Sequence, residues 1–165
     1  MANTQKPLRG AIIGYGFISS LGHMEAYLAR NHSQKDVEIV AIADVCQARR
    51  DLAMQKHPNV RIYTDFEILL EQEAENLDFV DISTPPAFHA EIARLAFEKG
   101  LHVLCEKPLC VSLEEATEML SLARKSKRVL FPCHNYKHAP VVKAIREVIE
   151  SGRIGKVRSL TLNTF

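Results

Sequence analysis

Short apolar runs, rich in β-branched residues, alternate with helical patterns along most of the chain. The runs are Leu8 to Ile13, Val37 to Ala43, Phe79 to Ile82, His102 to Cys105 and Val129 to Phe131, with a weaker one at Arg61 to Tyr63. Their nearly continuous apolarity is typical of strands covered on both faces. Regular alternation of strand and helix requires right-handed crossovers, so the sequence predicts α/β architecture with a doubly wound parallel sheet.

The intervening segments have helical periodicity. They are Phe17 to Arg30, Cys46 to Lys56, Phe66 to Gln72, Ala87 to Lys99 and Leu113 to Lys125, and a further helix, Val141 to Glu150, follows Pro140. Two of these segments are preceded by the pattern of a capping box, formed by Thr64 with Glu67 and by Ser112 with Glu115. We expect these two helices to begin next to Thr64 and Ser112.

Length, charge and cysteine spacing exclude several classes of protein. A chain of 165 residues with 21 basic and 20 acidic residues has a net charge of +1, which does not favour nucleic acid as a partner. No apolar window or N-terminal signal core indicates a membrane span or export, so we expect a cytoplasmic protein. The four cysteines lack paired spacing, which predicts reduced thiols and no metal site.

The first strand runs into a glycine-rich turn, Gly14-Tyr15-Gly16-Phe17-Ile18-Ser19, which places Ser at the third position of G-x-G-x-x-G. Gly14 permits the tight turn, and Gly16 lets the backbone approach a pyrophosphate. The amides around Phe17 and Ile18, which open the next helix, can then face the phosphates. Similar turns also occur for packing alone and in methyltransferases, so this motif leaves the ligand open.

The second strand ends in Asp44, whose carboxylate can accept both hydroxyls of a ribose. An acidic side chain at this position repels a 2′-phosphate, which favours NAD over NADP, although Arg49 and Arg50 follow closely and soften that preference. Asp44 can also cap the next helix, and the two roles are compatible. The sequence therefore predicts a dinucleotide site with NAD as its cofactor and NADP as the alternative.

Several motifs together resemble the glucose-fructose oxidoreductase, inositol dehydrogenase and rhizopine-catabolism (Gfo/Idh/MocA) family. They are Gly14-x-Gly16, Asp44, Ser83-Thr84-Pro85-Pro86 with His89, and Glu106-Lys107-Pro108. The resemblance covers essentially the whole chain, and E-K-P at the end of the fifth strand is its most specific part. It implies an NAD(P)-binding Rossmann domain over residues 1–131. Residues 132–165 would then be the crossover helix and first strand, Val157 to Phe165, of an incomplete second α/β domain.

The resemblance also assigns roles to individual residues. Ser83, Thr84 and Pro85 would border the cofactor at the end of the fourth strand, and His89 would lie on the first turn of the following helix. Glu106 and Lys107 would lie at the nicotinamide, with Lys107 as the catalytic residue that holds the substrate hydroxyl, and in this family the Lys-Pro bond is often cis. Alternatively, Lys107 is a solvent-exposed residue at a strand end and His89 a surface residue of its helix.

The segment after the sixth strand resembles the family crossover, where Asn135 and Lys137 would approach the nicotinamide and substrate. The implied activity is hydride transfer between NAD(P) and a hydroxyl-bearing carbon of a sugar, cyclitol or sugar derivative, in a protein that is a homo-oligomer at full length. The family's downstream Asp and His acid-base pair would lie beyond this sequence. An alternative is a non-catalytic nucleotide-binding module that acts with a partner chain. His23, His32, His57 and His102 receive no functional role.

Overall fold

The computed structural model describes residues 6–161, which contain one six-stranded, fully parallel sheet. The strands are β1 (Leu8–Ile13), β2 (Val37–Ala43), β3 (Arg61–Tyr63), β4 (Phe79–Ile82), β5 (His102–Cys105) and β6 (Leu130–Pro132). They lie in the order β3-β2-β1-β4-β5-β6, the order of dinucleotide-binding doubly wound sheets. The predicted fold class is confirmed, and β1 and β4 flank the point at which the strand order reverses.

The helices within residues 6–161 lie between consecutive strands, except the last, which follows β6. They are α1 (Met24–Gln34), α2 (Gln47–Lys56), α3 (Phe66–Glu73), α4 (His89–Glu98), α5 (Leu113–Ser126) and α6 (Pro140–Glu150). A π-helical turn over Ser19–His23 precedes α1, and short 3₁₀ segments lie at Ala74–Asn76, Pro86–Phe88 and Asn135–His138. The π-helical turn was not predicted, because the sequence pattern indicated one uninterrupted helix from Phe17.

One predicted helix start is wrong and the other is confirmed. The N-cap of α3 is Asp65, whose Oδ1 accepts from the backbone N–H of Ile68 at 2.8 Å, while Thr64 donates its hydroxyl to Asp65. Asp65 is the cap because its extended backbone directly precedes the helix. At α5, Ser112 accepts from the N–H of Glu115 at 3.1 Å, as predicted.

The apolar core forms on both faces of the sheet, because consecutive strand residues point in opposite directions. Ile12 belongs to a cluster with Met24 and Ala53, under α1 and α2. Ile13 belongs to the larger cluster on the other face, which includes side chains of α3, α4 and α5. Burial on both faces explains the nearly continuous apolarity of β1 and β2.

The chain divides into two compact units between Cys133 and His134, close to the boundary of 131 and 132 expected from the sequence. The second unit contains the 3₁₀ segment Asn135–His138 and α6. Residues 157–161 have no regular secondary structure, and the rest of the strand expected from Val157 lies outside the described residues. None of the helices within residues 6–161 is long and apolar enough to cross a membrane.

Candidate functional site

A pocket of about 250 Å³ lies at the carboxyl ends of β1, β2 and β4. Open α/β sheets bind their ligands at this edge, at the point where the strand order reverses. The lining combines apolar side chains with a few polar groups: Ile13, Gly14, Ala43, Asp44, Val45, Arg49, Asp65, Phe66, Ser83, Thr84, Pro85, Phe88 and Ile92. Apolar walls with few polar groups are typical of cofactor sites.

The glycine turn forms one side of this pocket, and its two glycines meet different constraints. Gly14 has φ +91°, and a Cβ there would lie 2.8 Å from the carbonyl oxygen of Ser83. At Gly16 a Cβ would meet only the guanidinium of Arg49, at 3.8 Å. Gly14 is therefore required by the protein's own packing, whereas the space above Gly16 is open to a ligand.

Ser19 replaces the third glycine of the motif and closes the turn. It is fully buried, and its Oγ donates to the carbonyl of Gly14 at 2.6 Å and lies 3.1 Å from that of Gly16. Phe17 and Ile18 lie in the first turn of the following helical segment, where backbone N–H groups have no helical acceptor. These residues have the arrangement that accepts a phosphate at a helix N-terminus.

Asp44 is 5% exposed, and each of its carboxylate oxygens accepts a backbone hydrogen bond. Oδ2 accepts from the N–H of Tyr15 at 2.7 Å, and Oδ1 accepts from the N–H of Cys46 at 2.8 Å. The N-cap of α2 is Cys46, so the interpretation of Asp44 as the cap of that helix is wrong. Each oxygen can still accept a further bond, for example from a ribose hydroxyl.

Arg49 is the nearest cation to this carboxylate, with its Nη1 3.5 Å from Oδ2 of Asp44. Its side chain is 54% exposed and lines the pocket. Arg50 instead donates from Nη1 to the backbone carbonyls of Asp44 and Val45, each at 2.8 Å. The two arginines therefore have different surroundings, and only Arg49 faces the pocket.

The loop after β4 supplies an unsatisfied hydroxyl. The Oγ1 of Thr84 is buried and has no hydrogen-bond partner within residues 6–161, which is unusual because buried polar groups are almost always bonded. The hydroxyl of the neighbouring Ser83 donates to Asp81 at 3.3 Å. Thr84 lines the pocket, and its unpaired hydroxyl is a candidate for a bond to a ligand there.

His89 begins α4, as the resemblance implied, but it is fully buried, so the alternative of a surface position is wrong. Its Nε2 lies 2.8 Å from the carbonyl of Thr84, and its Nδ1 lies 3.1 Å from that of Pro108 and 3.2 Å from that of Leu109. The ring joins the loop after β4 to the loop after β5 and is not part of the pocket lining. A cofactor contact from His89 therefore stays a prediction.

The Glu106-Lys107-Pro108 segment leaves the carboxyl end of β5, and its Lys107-Pro108 bond is cis. Lys107 is exposed, and its backbone N–H donates to Oε2 of Glu106 at 3.0 Å. Asn135 and Lys137 belong to the second unit, where both are exposed and the Oδ1 of Asn135 accepts from the N–H of Tyr136 at 3.0 Å. Their approach to the nicotinamide stays a prediction.

A cluster of one fully buried and two partly buried ionisable side chains next to this segment was not predicted. Nδ1 of His23 lies 2.8 Å from Oδ2 of Asp81, and its Nε2 lies 3.1 Å from Oε1 of Glu106. The hydrogen bond to Asp81 is the main cause that raises the pKa of His23, against the opposing effect of burial. A sequence signal did exist, because Asp81 interrupts the apolar strand β4 and a buried carboxylate requires a partner.

His23, Glu106 and Cys133 also form a group with ligand atoms within 4.8 Å of one another, a spacing that a metal ion could bridge. The imidazole is already bonded to carboxylates on both sides, whereas metal ligation requires a free imidazole nitrogen. This cluster therefore favours hydrogen bonding over metal binding.

The sequence matches the family model described as "Oxidoreductase family, NAD-binding Rossmann fold" over residues 8–134. It is 34% identical to the D-glucoside 3-dehydrogenase of Escherichia coli K12, over 94% of this chain and 43% of that protein. It is 32% identical to the D-apiose dehydrogenase of Paraburkholderia graminis, over 92% and 39% respectively.

A solved oxidoreductase from Agrobacterium radiobacter, in complex with NAD+, L-tartaric acid and magnesium, has the same fold, with a TM-score of 0.81 and 30% identity. The match covers 90% of this chain and 42% of that chain. The present chain thus spans less than half the length of these relatives.

Proposed function

The chain belongs to the Gfo/Idh/MocA oxidoreductase family, whose NAD-binding Rossmann fold it has, and we propose that it forms the cofactor half of a dehydrogenase. The proposed reaction moves a hydride between a nicotinamide cofactor and a hydroxyl-bearing carbon of a sugar, cyclitol or sugar derivative. The observation that carries this proposal is the pocket that brings together the glycine turn, Asp44 and the unsatisfied hydroxyl of Thr84.

The residues around the pocket fit a dinucleotide. The open space above Gly16 and the amides of Phe17 and Ile18 suit a pyrophosphate. The carboxylate of Asp44 has unused acceptor capacity for ribose hydroxyls, and Thr84 offers a hydroxyl without a partner. The bound nicotinamide would supply the hydride acceptor or donor.

The apolar part of the pocket suits the adenine ring. Val45 directly follows Asp44 and is 81% exposed, and Phe88 is half exposed on the opposite loop. Exposed apolar side chains next to a polar anchor are typical of a ligand site. We infer that these side chains cover the base while Asp44 holds the adjoining ribose.

Lys107 is the proposed catalytic residue. Its ammonium is exposed at the carboxyl end of β5, the edge of the sheet at which ligands bind. There it can donate a hydrogen bond to the substrate oxygen and stabilise the negative charge that develops on that oxygen when a hydride adds to the carbonyl carbon. In this role it acts as a hydrogen-bond donor.

Asp44 makes NAD the proposed cofactor, because a buried carboxylate at the ribose repels a 2′-phosphate. Arg49 lies 3.5 Å away and reduces this repulsion without removing it. NADP is therefore the weaker alternative.

The substrate class, the location and the oligomeric state are proposals for the whole protein. The relatives named above are dehydrogenases of a D-glucoside and of D-apiose, which supports a sugar-like substrate. We propose a cytoplasmic homo-oligomer, a location consistent with the unpaired thiols of Cys46, Cys105, Cys110 and Cys133. Binding of nucleic acid or of a membrane is not part of the proposal.

Calorimetric titration of the purified chain with NADH and with NADPH tests the cofactor assignment. We expect NADH to bind more tightly, and an Asp44→Ala variant, shown to be folded, to lose this affinity. Glu38→Ala is the matched control, because Glu38 is an exposed carboxylate on the same strand. A folded wild-type chain that binds neither nucleotide, or an Asp44→Ala variant that binds NADH like the control, would contradict the assignment.

A further inference from the structure

We propose that His23 is a positioning residue whose protonated ring holds the carboxylate of Glu106 and thereby orients the segment that carries Lys107. The inference rests on the proposed function, since this role matters only if Lys107 meets the substrate. The geometry that supports it lies within the first unit and involves the π-helical turn, β4 and the end of β5.

Asp81 is the fixed end of the network. It lies on the central strand β4 with no solvent exposure, between the apolar residues Val80 and Ile82. Oδ2 of Asp81 accepts from the hydroxyl of Tyr27 at 2.9 Å, and Oδ1 accepts from Ser83 at 3.3 Å. A buried carboxylate with these donors and an imidazole within 2.8 Å is strongly held in place.

His23 connects this anchor to the end of the neighbouring strand. Its Nδ1 faces Asp81 and its Nε2 faces Glu106, so each nitrogen must carry a proton in order to donate to a carboxylate. Only the imidazolium has both protons. The hydrogen bond to Asp81, assisted by Glu106, raises the pKa of His23 and favours this form.

Glu106 transmits the position of the ring to Lys107. One of its oxygens, Oε1, bonds the ring of His23, while the other, Oε2, accepts from the backbone N–H of Lys107. A carboxylate held at both oxygens has little rotational freedom. The backbone of Lys107 is thus connected through two side chains to the centre of the sheet.

The groups that face His23 come from every neighbouring element. They are Tyr27 of α1, Asp81 of β4, Glu106 after β5 and Cys133 after β6. Burial raises the pKa of Cys133 to about 12 and also raises that of Tyr27, so both stay neutral near neutral pH. The charge balance around the ring therefore depends on two carboxylates and the imidazolium.

The test is a pH titration by nuclear magnetic resonance, from about pH 5 to pH 9, that follows the imidazole of His23 and the backbone amide of Lys107. In the wild-type chain we expect the chemical shifts of both groups to change together, with a midpoint above about pH 6.5. The amide of Asn in His23→Asn can replace Nδ1 but cannot reach Glu106. In this variant the pH-dependent change in the Lys107 amide shift should be lost. Tyr27→Phe is the matched control, since it removes a donor to Asp81 and leaves Glu106 unchanged. In this variant the two chemical shifts should still change together.

Two results would overturn the proposal. One is a wild-type Lys107 amide whose chemical shift does not change while His23 titrates. The other is a loss of the pH-dependent Lys107 shift in Tyr27→Phe equal to that in His23→Asn, which would indicate a general loss of order around Asp81. The measurement needs no nucleotide, so its outcome is independent of whether the chain binds NADH.

Discussion

The backbone N–H of Tyr15 donates to Oδ2 of Asp44 at 2.7 Å, and this bond joins the glycine turn to the end of β2. Tyr15 is 1% exposed, so its N–H depends on this carboxylate for an acceptor. The residue proposed to bind the ribose therefore also shapes the turn proposed to bind the pyrophosphate. Substitution of Asp44 affects stability as well as affinity.

Asp44→Ala is expected to lower the free energy of unfolding by about 2 kcal/mol, because it leaves the N–H of Tyr15 buried without an acceptor. Urea denaturation at neutral pH measures this change. The exposed-site control Glu38→Ala should stay within about 0.5 kcal/mol of the wild type. Equal stability of the two variants would show that the bond to Tyr15 contributes nothing.

The two glycines of the turn should separate stability from binding. Gly14→Ala places a Cβ 2.8 Å from the carbonyl of Ser83 at φ +91°, and we expect a loss of at least about 2 kcal/mol in unfolding free energy. Gly16→Ala meets no such contact, so the fold should persist while NADH affinity falls by about tenfold, because the methyl group occupies the approach of the pyrophosphate. Denaturation and calorimetry on both variants provide the comparison, and a Gly16→Ala chain with unchanged affinity would place the pyrophosphate elsewhere.

Thr84→Val replaces the unsatisfied hydroxyl by a methyl group of the same shape. The free energy of unfolding should stay equal or rise by up to about 1 kcal/mol, because no bond is lost in the free protein. NADH affinity should fall by about fivefold if the hydroxyl bonds the cofactor. Thr117→Val, at an exposed hydroxyl bonded within α5, is the control and should bind NADH normally. Unchanged affinity in Thr84→Val would remove Thr84 from the site.

The fold was predictable because its signal is local. The runs of β1 and β2 are mostly apolar on both faces, and the structure buries most of their residues, in two separate clusters. Their bounds match the prediction, and Asp44, which directly follows β2, lines the pocket. Boundaries that depend on a single hydrogen bond were less certain, as the choice of Asp65 over Thr64 shows.

The contacts of His23 and His89 could not be predicted in the same way. His23 and Glu106 are 83 positions apart, and they meet because β4 and β5 pair in a particular register while a π-helical turn orients the ring. His89 likewise bonds carbonyls of two loops that the sheet brings together. Such partners depend on tertiary geometry, and the sequence shows only that Asp81 needs one.

The raised pKa of His23 gives the stability of the chain a defined pH dependence. A histidine whose pKa is higher in the folded chain than its unfolded value of about 6.5 contributes its full stabilisation below that pH, and the contribution disappears as pH rises through the folded pKa. We expect the difference in unfolding free energy between the wild type and His23→Asn to decrease as the pH rises from about 6.5 through the folded pKa of His23. The lowered pKa of His57 acts in the opposite direction but is common to both chains, so it cancels in the difference. A difference that rises with pH would have the wrong sign for this network.

Arg49 determines how strongly the site discriminates against a 2′-phosphate. Its guanidinium lies 3.5 Å from Oδ2 of Asp44, the carboxylate proposed to hold the ribose, so it is the cation that a 2′-phosphate would meet. Arg49→Ala should therefore weaken NADPH binding by about tenfold and change NADH binding by less than about twofold, as expected for loss of one charge-assisted bond.

Arg50→Ala is the matched control, because Arg50 donates to the backbone carbonyls of Asp44 and Val45 and its loss should reduce stability without changing the preference between the two nucleotides. Calorimetric titration of both variants with both nucleotides measures the ratio of affinities. If Arg49→Ala weakens NADH and NADPH equally, the guanidinium contacts a part that the two cofactors share. The NAD preference would then depend on Asp44 alone, since no cation would offset its charge at the 2′ position.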